Sequence, residues 1–555
     1  MTHEHVLARC DLALLIARRA RDDGARSFIE DIGGGHALSY AELGGRVRQC
    51  RAALDVAGIA PRGRVLIDVA DPVAFSVAYL GVIAAGRSAV PVNPDAPTAE
   101  LERAAAAVRP TAVIGDRPDR AGGLGLPIVP TPAAGAPPAG LYGNDPGGRG
   151  VRPPGSVLLL TSGSTGAPKA VELTEDRLLH VARMVADHNR LTPDDRGFNP
   201  LPLFHINAEV VALLATLTAG ATLLLDRRFH RHGFWETVAE HDVTWINLVP
   251  AILGILAERP VPVRPRRLRF IRSASAPLPD AIRRRIEALV GAPVVESYGM
   301  TEAASQITAM PLDGSGPAGS CGRPVGTDVE VRGSNRRPVP PGTIGQIWIR
   351  GRGVINAYDG GRAADRFDAG RWLDTGDRGV LDADGYLCLV GRSDDVINRG
   401  GELLYPREIE EVLIADPGVR DAVVVGRADP ILGQVPVAYV VPVQDRGTIE
   451  SLQELLERLC ARCAAQLSRY KVPQAIHPVE SLPRAATGKV QRQVLAQAGD
   501  CPQPSSSVGE GAARAERRGP VGRVREEVGR CTSTHQSHAK WVELSPRRRP
   551  RFPSL

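Results

Sequence analysis

The chain has 555 residues, of which 43% are hydrophobic and 23% charged, the balance of a globular protein long enough for more than one domain. Eight cysteines are too few for a disulfide scaffold, and the most apolar run, residues 210–225, is short for a bilayer and contains polar residues. The net charge of +6 is carried by residues 501–555, which hold eleven Lys/Arg and five Glu, so the rest of the chain is neutral. This distribution argues against a specific nucleic-acid partner, and we predict that 501–555 is a disordered basic tail.

The N-terminal half alternates β-branched apolar runs with helical patterns. The pattern predicts a strand at 65–69, a helix at 72–85 and a strand at 89–92, and a second stretch of the same kind extends from 156 to about 276. This order favours α/β layers around largely parallel sheets. Charged residues interrupt the apolar residues near the N-terminus, so we predict no signal peptide, no membrane span and a cytoplasmic location.

The pattern changes toward the C-terminus. Residues 329–390 predict short strands separated by turn dipeptides, as in a small β-rich subdomain. A compact α+β segment follows, with strands at 422–425 and 437–441 and a helix at 449–467. The predicted fold class is therefore α/β, with a large N-terminal domain of layered α/β subdomains plus a β-rich subdomain, and then a small α+β domain. The predicted boundaries are 1–391 for the N-terminal domain, 392–500 for the C-terminal domain and 501–555 for the tail.

A loop rich in glycine and hydroxyl side chains follows an apolar strand at 157–160. Its residues are Thr161, Ser162, Gly163, Ser164, Thr165, Gly166, Ala167, Pro168 and Lys169. Glycines let the backbone approach a phosphate, N–H groups and hydroxyls donate to its oxygens, and the lysine supplies positive charge. The spacing differs from that of a Walker A loop, because no Ser or Thr follows Lys169. The loop nevertheless predicts phosphate contact.

This stretch resembles the phosphate loop of the adenylate-forming superfamily, which comprises acyl-CoA synthetases, peptide-synthetase adenylation domains and luciferases. The remaining motifs of that family occur here in the family's order. They are Pro-Leu-Phe-His at 202–205, Ser-Ala-Ser-Ala-Pro-Leu at 273–278, Glu-Ser-Tyr-Gly-Met-Thr-Glu at 296–302, Gly-Arg-Pro at 322–324, Thr-Gly-Asp at 375–377, Gly-Arg-Ser-Asp-Asp at 391–395, Arg-Gly-Gly-Glu at 399–402, Tyr-Pro-Arg-Glu-Ile-Glu at 405–410 and Pro-Arg-Ala-Ala-Thr-Gly-Lys at 483–489. Together they extend the resemblance over about residues 10–498, and they indicate the AMP-dependent acyl-CoA ligase branch.

The resemblance implies roles for residues that look ordinary by themselves. Glu302 is expected to ligate Mg²⁺, which prefers carboxylate and phosphate oxygens, and Thr301 to donate to the α-phosphate. Asp377 is expected to accept from both ribose hydroxyls, and Arg392 to bond the ribose or the phosphates. The nucleotide contacts implied for the adenine side are Ser275, Ala276, Glu296, Ser297 and Tyr298. His205 is expected beside the acyl pocket, with a catalytic role as the less favoured reading.

Lys489 resembles the catalytic lysine of the family, which bridges the substrate carboxylate and the phosphate as negative charge moves onto pyrophosphate. Asp394 falls where relatives have a hinge that rotates a mobile C-terminal domain after adenylation. That rotation would bring a face containing Gly400 and Gly401 over the acyl-adenylate.

These implications predict an ATP-dependent, AMP-forming carboxylate–CoA ligase with Mg²⁺ as cofactor and coenzyme A as co-substrate. Three alternatives remain open. The first keeps adenylation but uses a carrier-protein arm, an amine or another oxyanion such as nitrite. The second is a nucleotide-binding homologue without turnover, and the third is a nucleic-acid binder that uses the tail.

The acid itself is not identified by the sequence. The candidate pocket residues are mostly small and of mixed polarity: His205, Asn207, Ala208, Val249, Ser273, Tyr298, Gly299 and Ser305. Likeness to small-acid and oxalate-type ligases lies in 270–276 and 398–402, but Ser305 stands where the oxalate type is expected to have a histidine. Oligomeric state and pathway are left open.

Overall fold

The computed structural model describes residues 11–131, 152–161, 169–361, 363–400, 402–443, 452–484, 489–497 and 529–530. Residues 132–151 and most of the predicted tail lie outside these residues. Within the tail, Gly529–Arg530 forms a short strand.

The larger part of the chain, up to Arg392, contains helices and strands in alternation. Its helices are α1 (Leu12–Asp22), α2 (Tyr40–Val56), α3 (Pro72–Ala84), α4 (Thr98–Val108), α5 (Pro118–Gly122), α6 (Glu175–His188), α7 (Ala215–Ala219), α8 (Phe234–Glu240), α9 (Pro250–Ala257) and α10 (Asp280–Val290), with a π-helix at Asn207–Leu214. Its strands are β1 (Ser27–Asp31), β2 (His36–Ser39), β3 (Arg64–Asp68), β4 (Ser88–Pro91), β5 (Ala112–Gly115), β6 (Ile128–Val129), β7 (Ser156–Thr161), β8 (Lys169–Thr174), β9 (Arg196–Asn199), β10 (Thr222–Leu225), β11 (Trp245–Leu248), β12 (Phe270–Ser273), β13 (Val294–Met300), β14 (Ser305–Ala309), β15 (Arg323–Pro324), β16 (Asp328–Arg332), β17 (Gly345–Arg350), β18 (Leu373–Leu381) and β19 (Leu387–Arg392). Short 3₁₀-helices lie at Thr301–Ala303, Asp359–Gly361 and Ala364–Arg366.

Two mainly parallel sheets organise this part of the molecule. In the described residues, one has nine strands in the order β15-β14-β13-β12-β11-β9-β10-β1-β2, and the other has six in the order β6-β5-β3-β4-β7-β8. Antiparallel pairs occur only toward the edges of these two sheets, such as β13 with β14 and β7 with β8. The predicted strand, helix and strand at 65–69, 72–85 and 89–92 are confirmed as β3, α3 and β4.

Helix α3 illustrates why the core forms where it does. Its sequence is apolar on every face, which is typical of a helix enclosed by other elements, and every residue from Val77 to Ala84 is buried. Asp71 caps its first turn by accepting from the Ala74 N–H, and Pro72 occupies a first-turn position where no N–H is needed. The helix contacts α2, β1 and β4, so it joins the two sheets through one continuous core.

The β-rich subdomain predicted at 329–390 is confirmed as an antiparallel sheet in the order β16-β17-β18-β19. Asp377 on β18 lies opposite Arg392 on β19. The subdomain therefore places two predicted nucleotide contacts side by side at one end of its sheet.

The C-terminal part has its own core around a second sheet. Its elements are β20 (Ile397–Arg399), β21 (Glu402–Leu404), α11 (Pro406–Ile414), β22 (Val419–Asp429), β23 (Gly433–Pro442), α12 (Leu452–Gln466), β24 (Ala475–Pro478), α13 (Arg492–Gln497) and β25 (Gly529–Arg530), with 3₁₀-helices at Ser393–Asp395 and Arg469–Lys471. The strand order is β21-β20-β23-β24-β25, with β22 paired to β23. A larger and a smaller domain are thus present, as the predicted fold class requires, while the boundaries at 391 and 500 stay predictions.

The two parts are in contact. The Arg407 guanidinium on α11 donates a 2.7 Å hydrogen bond to the Leu389 carbonyl on β19. Among the described residues, no helix is long and apolar enough to cross a membrane, and the apolar run at 210–225 divides into the π-helix, α7 and β10.

Candidate active site

Glu302 lies in a tight turn that follows β13. The chain leaves β13 through the 3₁₀-helix Thr301–Ala303 and returns as β14, which brings the carbonyl oxygen of Ser305 against Gly299. A β-carbon at Gly299 would lie 1.6 Å from that oxygen, so only glycine fits there. Glu302 is buried, and its Oε1 accepts a 2.9 Å hydrogen bond from the Tyr358 hydroxyl.

Lys169 faces the same tyrosine. It begins β8 and is paired with Thr161 at the end of β7, so the glycine loop connects the two strands of a hairpin. The Lys169 ammonium lies 5.5 Å from the centre of the Tyr358 ring. Arg366 donates a 2.8 Å hydrogen bond to the Tyr358 hydroxyl from the other side. The base of the predicted phosphate loop and the predicted metal ligand therefore meet around Tyr358.

Asp377 is held by two neighbours. The Tyr298 hydroxyl donates a 2.6 Å hydrogen bond to Oδ2, and the Arg392 guanidinium lies 3.3 Å from Oδ1. Burial raises the pKa of Asp377, while the charge of Arg392, the Tyr298 hydrogen bond and the charge of Lys489 oppose that rise. The Asp377 carboxylate is thereby oriented by Tyr298 and Arg392, and the charge of Lys489 from the smaller domain acts on it.

Lys489 reaches this cleft from the C-terminal domain. Its side chain is exposed, but the surrounding protein removes enough water to lower its pKa. The carboxylates of Asp377 and Glu302 oppose this lowering, and the charge of Arg392 adds to it. Electrostatic interaction with all three shows that Lys489 shares one site with residues that precede it by about a hundred positions or more along the chain.

The residues predicted to lie beside the adenine contact different parts of the protein. Ser297 accepts a 2.6 Å hydrogen bond from Arg272 in the interior, whereas Glu296 faces the backbone of Leu278 and the charges of Arg407 and Arg283. Burial raises the pKa of Glu296 to about 7. Ser275 has a left-handed backbone with φ of 76°, and Ala276 next to it is exposed.

Two other predicted residues have contacts within their own parts of the chain. The His205 ring packs on Phe204 with 4.3 Å between ring centres, just before the π-helix. The Gly400 amide donates to the Leu432 carbonyl at 2.7 Å, within the C-terminal domain. Ser162, Gly163, Ser164, Thr165, Gly166 and Gly401 lie outside the described residues, as does the Thr161 side chain.

The structure adds site residues that the sequence did not indicate. Tyr358 and Arg366 support Glu302, yet neither stands in a motif, and only their burial and partners reveal them. Arg272 lies in the stretch 270–276 that resembles oxalate-type ligases, but the sequence does not predict that its guanidinium is buried.

Glu302 is suited to Mg²⁺ bound together with a nucleotide. In the described residues no group of three or more His, Cys, Asp or Glu side chains could hold a metal ion alone. Mg²⁺ is commonly bound by one or two carboxylates, with phosphate oxygens and water completing its octahedron. A single buried carboxylate that shares Tyr358 with Lys169 of the predicted phosphate loop fits that arrangement.

Comparison with known proteins agrees with this geometry. The family model described as AMP-binding enzyme matches residues 16–359, and the model described as AMP-binding enzyme C-terminal domain matches residues 408–489. The chain belongs to the AMP-binding enzyme family. The resemblance drawn from the motifs is therefore confirmed.

Relatives extend over most of the chain. A sulfoacetate–CoA ligase from Cupriavidus necator is 36% identical over 503 residues, which is 87% of this chain and 97% of the relative. An oxalate–CoA ligase from Arabidopsis thaliana is 37% identical over 353 residues, 62% of this chain and 67% of the relative. The o-succinylbenzoate CoA synthetase of Bacillus subtilis, solved with its acyl-adenylate intermediate, has a TM-score of 0.75 at 27% identity, covering 87% of this chain and 98% of that one.

The same Bacillus enzyme has also been solved with ATP and a magnesium ion, with a TM-score of 0.74. Family, relatives and fold together make this chain an AMP-forming, ATP-dependent acid–CoA ligase that uses ATP, Mg²⁺ and CoA. Its substrates thus include a small-molecule carboxylate.

Proposed function

We propose that this ligase activates its acid in the cleft between the two domains, with Lys489, Thr301 and Glu302 acting on the reacting groups. The observation that carries the proposal is the convergence of Glu302, Asp377 and Arg392 with Lys489 of the other domain. Residues so distant in sequence gather around one cleft when a ligand must be held by both domains.

The chemistry of the first step needs charge stabilisation more than proton transfer. A carboxylate is already ionised, so its oxygen attacks the α-phosphorus of ATP directly, forming a C–O–P linkage as the bond to pyrophosphate breaks. Lys489 stabilises the negative charge on the transferring phosphate, and Thr301 donates its hydroxyl there. Lys489 does this as an ammonium group, which the carboxylates of Asp377 and Glu302 favour.

Binding of the nucleotide is divided among several groups. Asp377 orients the ribose through its two oxygens, Arg392 contacts the ribose or the phosphates, and Lys169 with the loop 161–166 holds the outer phosphates. Glu302 would hold Mg²⁺, which neutralises phosphate charge when bound. The adenine would lie along Ser275, Ala276 and 296–298, and His205 beside the acyl group.

The second step exchanges AMP for CoA. The CoA thiol attacks the acyl carbonyl, the bond from carbonyl carbon to the phosphate oxygen breaks, and AMP leaves. We propose that rotation at Asp394 removes Lys489 and brings the face with Gly400 and Gly401 to the acyl-adenylate. Closure in both states would protect the reactive anhydride from water.

We prefer CoA over a carrier-protein arm or an amine as acceptor, because the relatives that cover this chain are named CoA ligases. A cytoplasmic location is proposed with it. The acids in the relatives' names, sulfoacetate, oxalate and o-succinylbenzoate, each carry a second acidic group.

A panel of carboxylic acids tests the proposal, with acid-dependent exchange of labelled pyrophosphate into ATP as the first readout. Active acids are then incubated with CoA, with a carrier protein and with amines, and the products are identified by mass. We expect exchange with at least one class of acid and a thioester with CoA. Absence of exchange across small, aliphatic and aromatic acids would contradict the proposed use of the cleft.

A further inference from the structure

Arg272 is a buried cation on the central strand β12. It is 1% exposed, and it lies one residue before the carboxyl end of the strand. In register with it on the neighbouring strand is Asn247, whose amide donates to Asn199 at 2.9 Å. Side chains in register on parallel strands point to the same face, so these residues form a polar row across the sheet.

Among the described residues, the guanidinium of Arg272 has no counter-charge. One of its nitrogens, Nη2, donates a 2.6 Å hydrogen bond to the Ser297 hydroxyl, which is neutral. Its Nε and Nη1 are buried and have no acceptor among the described residues, and no carboxylate there pairs with it. Burial lowers the pKa of Arg272 to about 10, so the group is still cationic at neutral pH.

Other buried arginines of this chain are neutralised. Arg332 is 6% exposed and contacts the carboxylates of Glu330 at 2.8 Å and Asp368 at 2.7 Å. A charge that is removed from water without an opposite charge beside it strongly destabilises the folded protein. Arg272 therefore needs an anion that the described residues do not supply.

The position of Arg272 points to the acid substrate as the source. Ser297 immediately precedes Tyr298, which bonds Asp377, and β13 continues from there to Thr301 and Glu302. In parallel sheets, ligands bind at the carboxyl ends of the strands, which is where Arg272 lies.

Two further buried polar side chains lack partners among the described residues. Gln306, in register with Gly299, is 2% exposed, and neither of its amide atoms has a partner in the described residues. Asn207 is likewise buried without partners, on the π-helix that packs against β11 and β14. Buried polar groups are nearly always satisfied, so a cluster of unsatisfied ones predicts a polar ligand.

We infer that the acid carries a second anionic group, a carboxylate or a sulfonate, and that Arg272 binds this group while the first carboxylate is adenylated. The inference rests on the proposed function and adds the substrate class. A bidentate guanidinium contact suits either anion. Gln306 and Asn207 would complete the hydrogen bonds of the same group.

The test uses acids that differ only at the far end. One set is propionate, malonate and sulfoacetate, in which a methyl, a carboxylate or a sulfonate is attached to the same CH₂–carboxylate unit. The second set is butyrate, succinate and 3-sulfopropionate. Acid-dependent AMP formation is measured with wild type, Arg272→Gln, Arg272→Lys and the control Arg332→Gln, which removes a buried arginine that has its own carboxylates.

For wild type we expect kcat/KM to be higher for an acid with a charged end than for its methyl counterpart. Arg272→Gln should reduce that preference by about 10- to 150-fold, the range for a hydrogen bond to a charged group. Arg272→Lys should retain part of the preference. Arg332→Gln should lower the thermal midpoint but leave the preference for charged acids unchanged. Binding of ATP to each variant, measured by calorimetry, verifies that the site is folded.

Two results would overturn the inference. One is a wild-type enzyme that activates methyl-ended acids as well as charged ones. The other is an ATP-binding Arg272→Gln that keeps the full preference. Either leaves the ligase function intact, whereas the absence of acid-dependent AMP formation with every class of acid would contradict the proposed function itself.

Discussion

Tyr358 connects two parts of the site through one hydroxyl group. It donates to Glu302 at 2.9 Å and accepts from Arg366 at 2.8 Å, while its ring faces Lys169. Burial is the main cause of its raised pKa, so the hydroxyl keeps its proton and donates to the carboxylate. We regard Tyr358 as a positioning residue that fixes the carboxylate expected to hold Mg²⁺.

Replacing that hydroxyl tests the assignment. Tyr358→Phe keeps the ring but leaves Glu302 without its donor, which should lower kcat/KM about 10-fold and raise the Mg²⁺ concentration needed for half-maximal rate. Magnesium titrations of pyrophosphate exchange measure both. Tyr386→Phe, which removes a hydroxyl outside the cleft, serves as control, and an unchanged Mg²⁺ requirement in Tyr358→Phe would contradict the positioning role.

The site residues differ in how far the sequence could predict them. Glu302, Asp377 and Lys489 stand in motifs whose spacing is characteristic, so their meeting was expected before the structure placed them together. Tyr358 and Arg272 stand out only in the structure. Tyr358 donates to Glu302, and Arg272 is buried with two nitrogens that have no acceptor among the described residues. Those are properties of the tertiary structure, which local sequence patterns do not record.

At the scale of elements, the π-helix Asn207–Leu214 is another feature that local sequence patterns do not predict. The apolar run that it begins is predicted not to span a membrane, but the sequence does not predict the wider turn of the helix. The helix carries Glu209 into the core, where the carboxyl group accepts a 3.1 Å hydrogen bond from Tyr79 on α3. Burial raises the pKa of Glu209 from 4.5 to about 8.

This buried carboxyl group makes stability depend on pH. Between pH 4.5 and about 8 the unfolded chain ionises Glu209 and the folded protein does not, so the free energy of unfolding falls as pH rises through this window. Glu209→Gln removes the effect. Relative to wild type, the variant should gain about 2–4 kcal/mol between pH 5 and pH 8.5.

Urea unfolding at pH 5, 7 and 8.5 measures the difference in the free energy of unfolding. The control is Glu236→Gln, an exposed residue of α8, whose difference from wild type should not change with pH. A constant difference between Glu209→Gln and wild type at all three pH values would show that the carboxyl group is ionised in the folded protein.

For the whole molecule, the division into a larger and a smaller domain is predictable from the change in the pattern of predicted strands and helices near residue 391. The relative placement of the two domains is not, because it depends on a few contacts such as that of Arg407 with Leu389. In this structure Lys489 lies close enough to Asp377 and Glu302 for their charges to act on its pKa, and we propose that adenylation uses this arrangement.

The proposed rotation can be tested at Asp394, which lies in the 3₁₀-helix Ser393–Asp395. The φ values typical of a 3₁₀-helix are close to the fixed φ of proline. Asp394→Pro should hold the domains in this arrangement, so pyrophosphate exchange continues while thioester formation falls more than about 10-fold. Asp394→Ala, which removes the same charge but leaves the backbone free, should retain both. Equal rates of thioester formation in the two variants would place the hinge elsewhere.

The most direct test of the whole account separates the two half-reactions in Lys489→Ala. Acid-dependent pyrophosphate exchange should fall by about 1,000-fold or more, because the charge that stabilises the transferring phosphate is gone. The same variant should still convert a synthetic acyl-adenylate and CoA into thioester and AMP at close to the wild-type rate. Full pyrophosphate exchange without the Lys489 ammonium group would contradict the claim that both domains hold the nucleotide for attack by the acid.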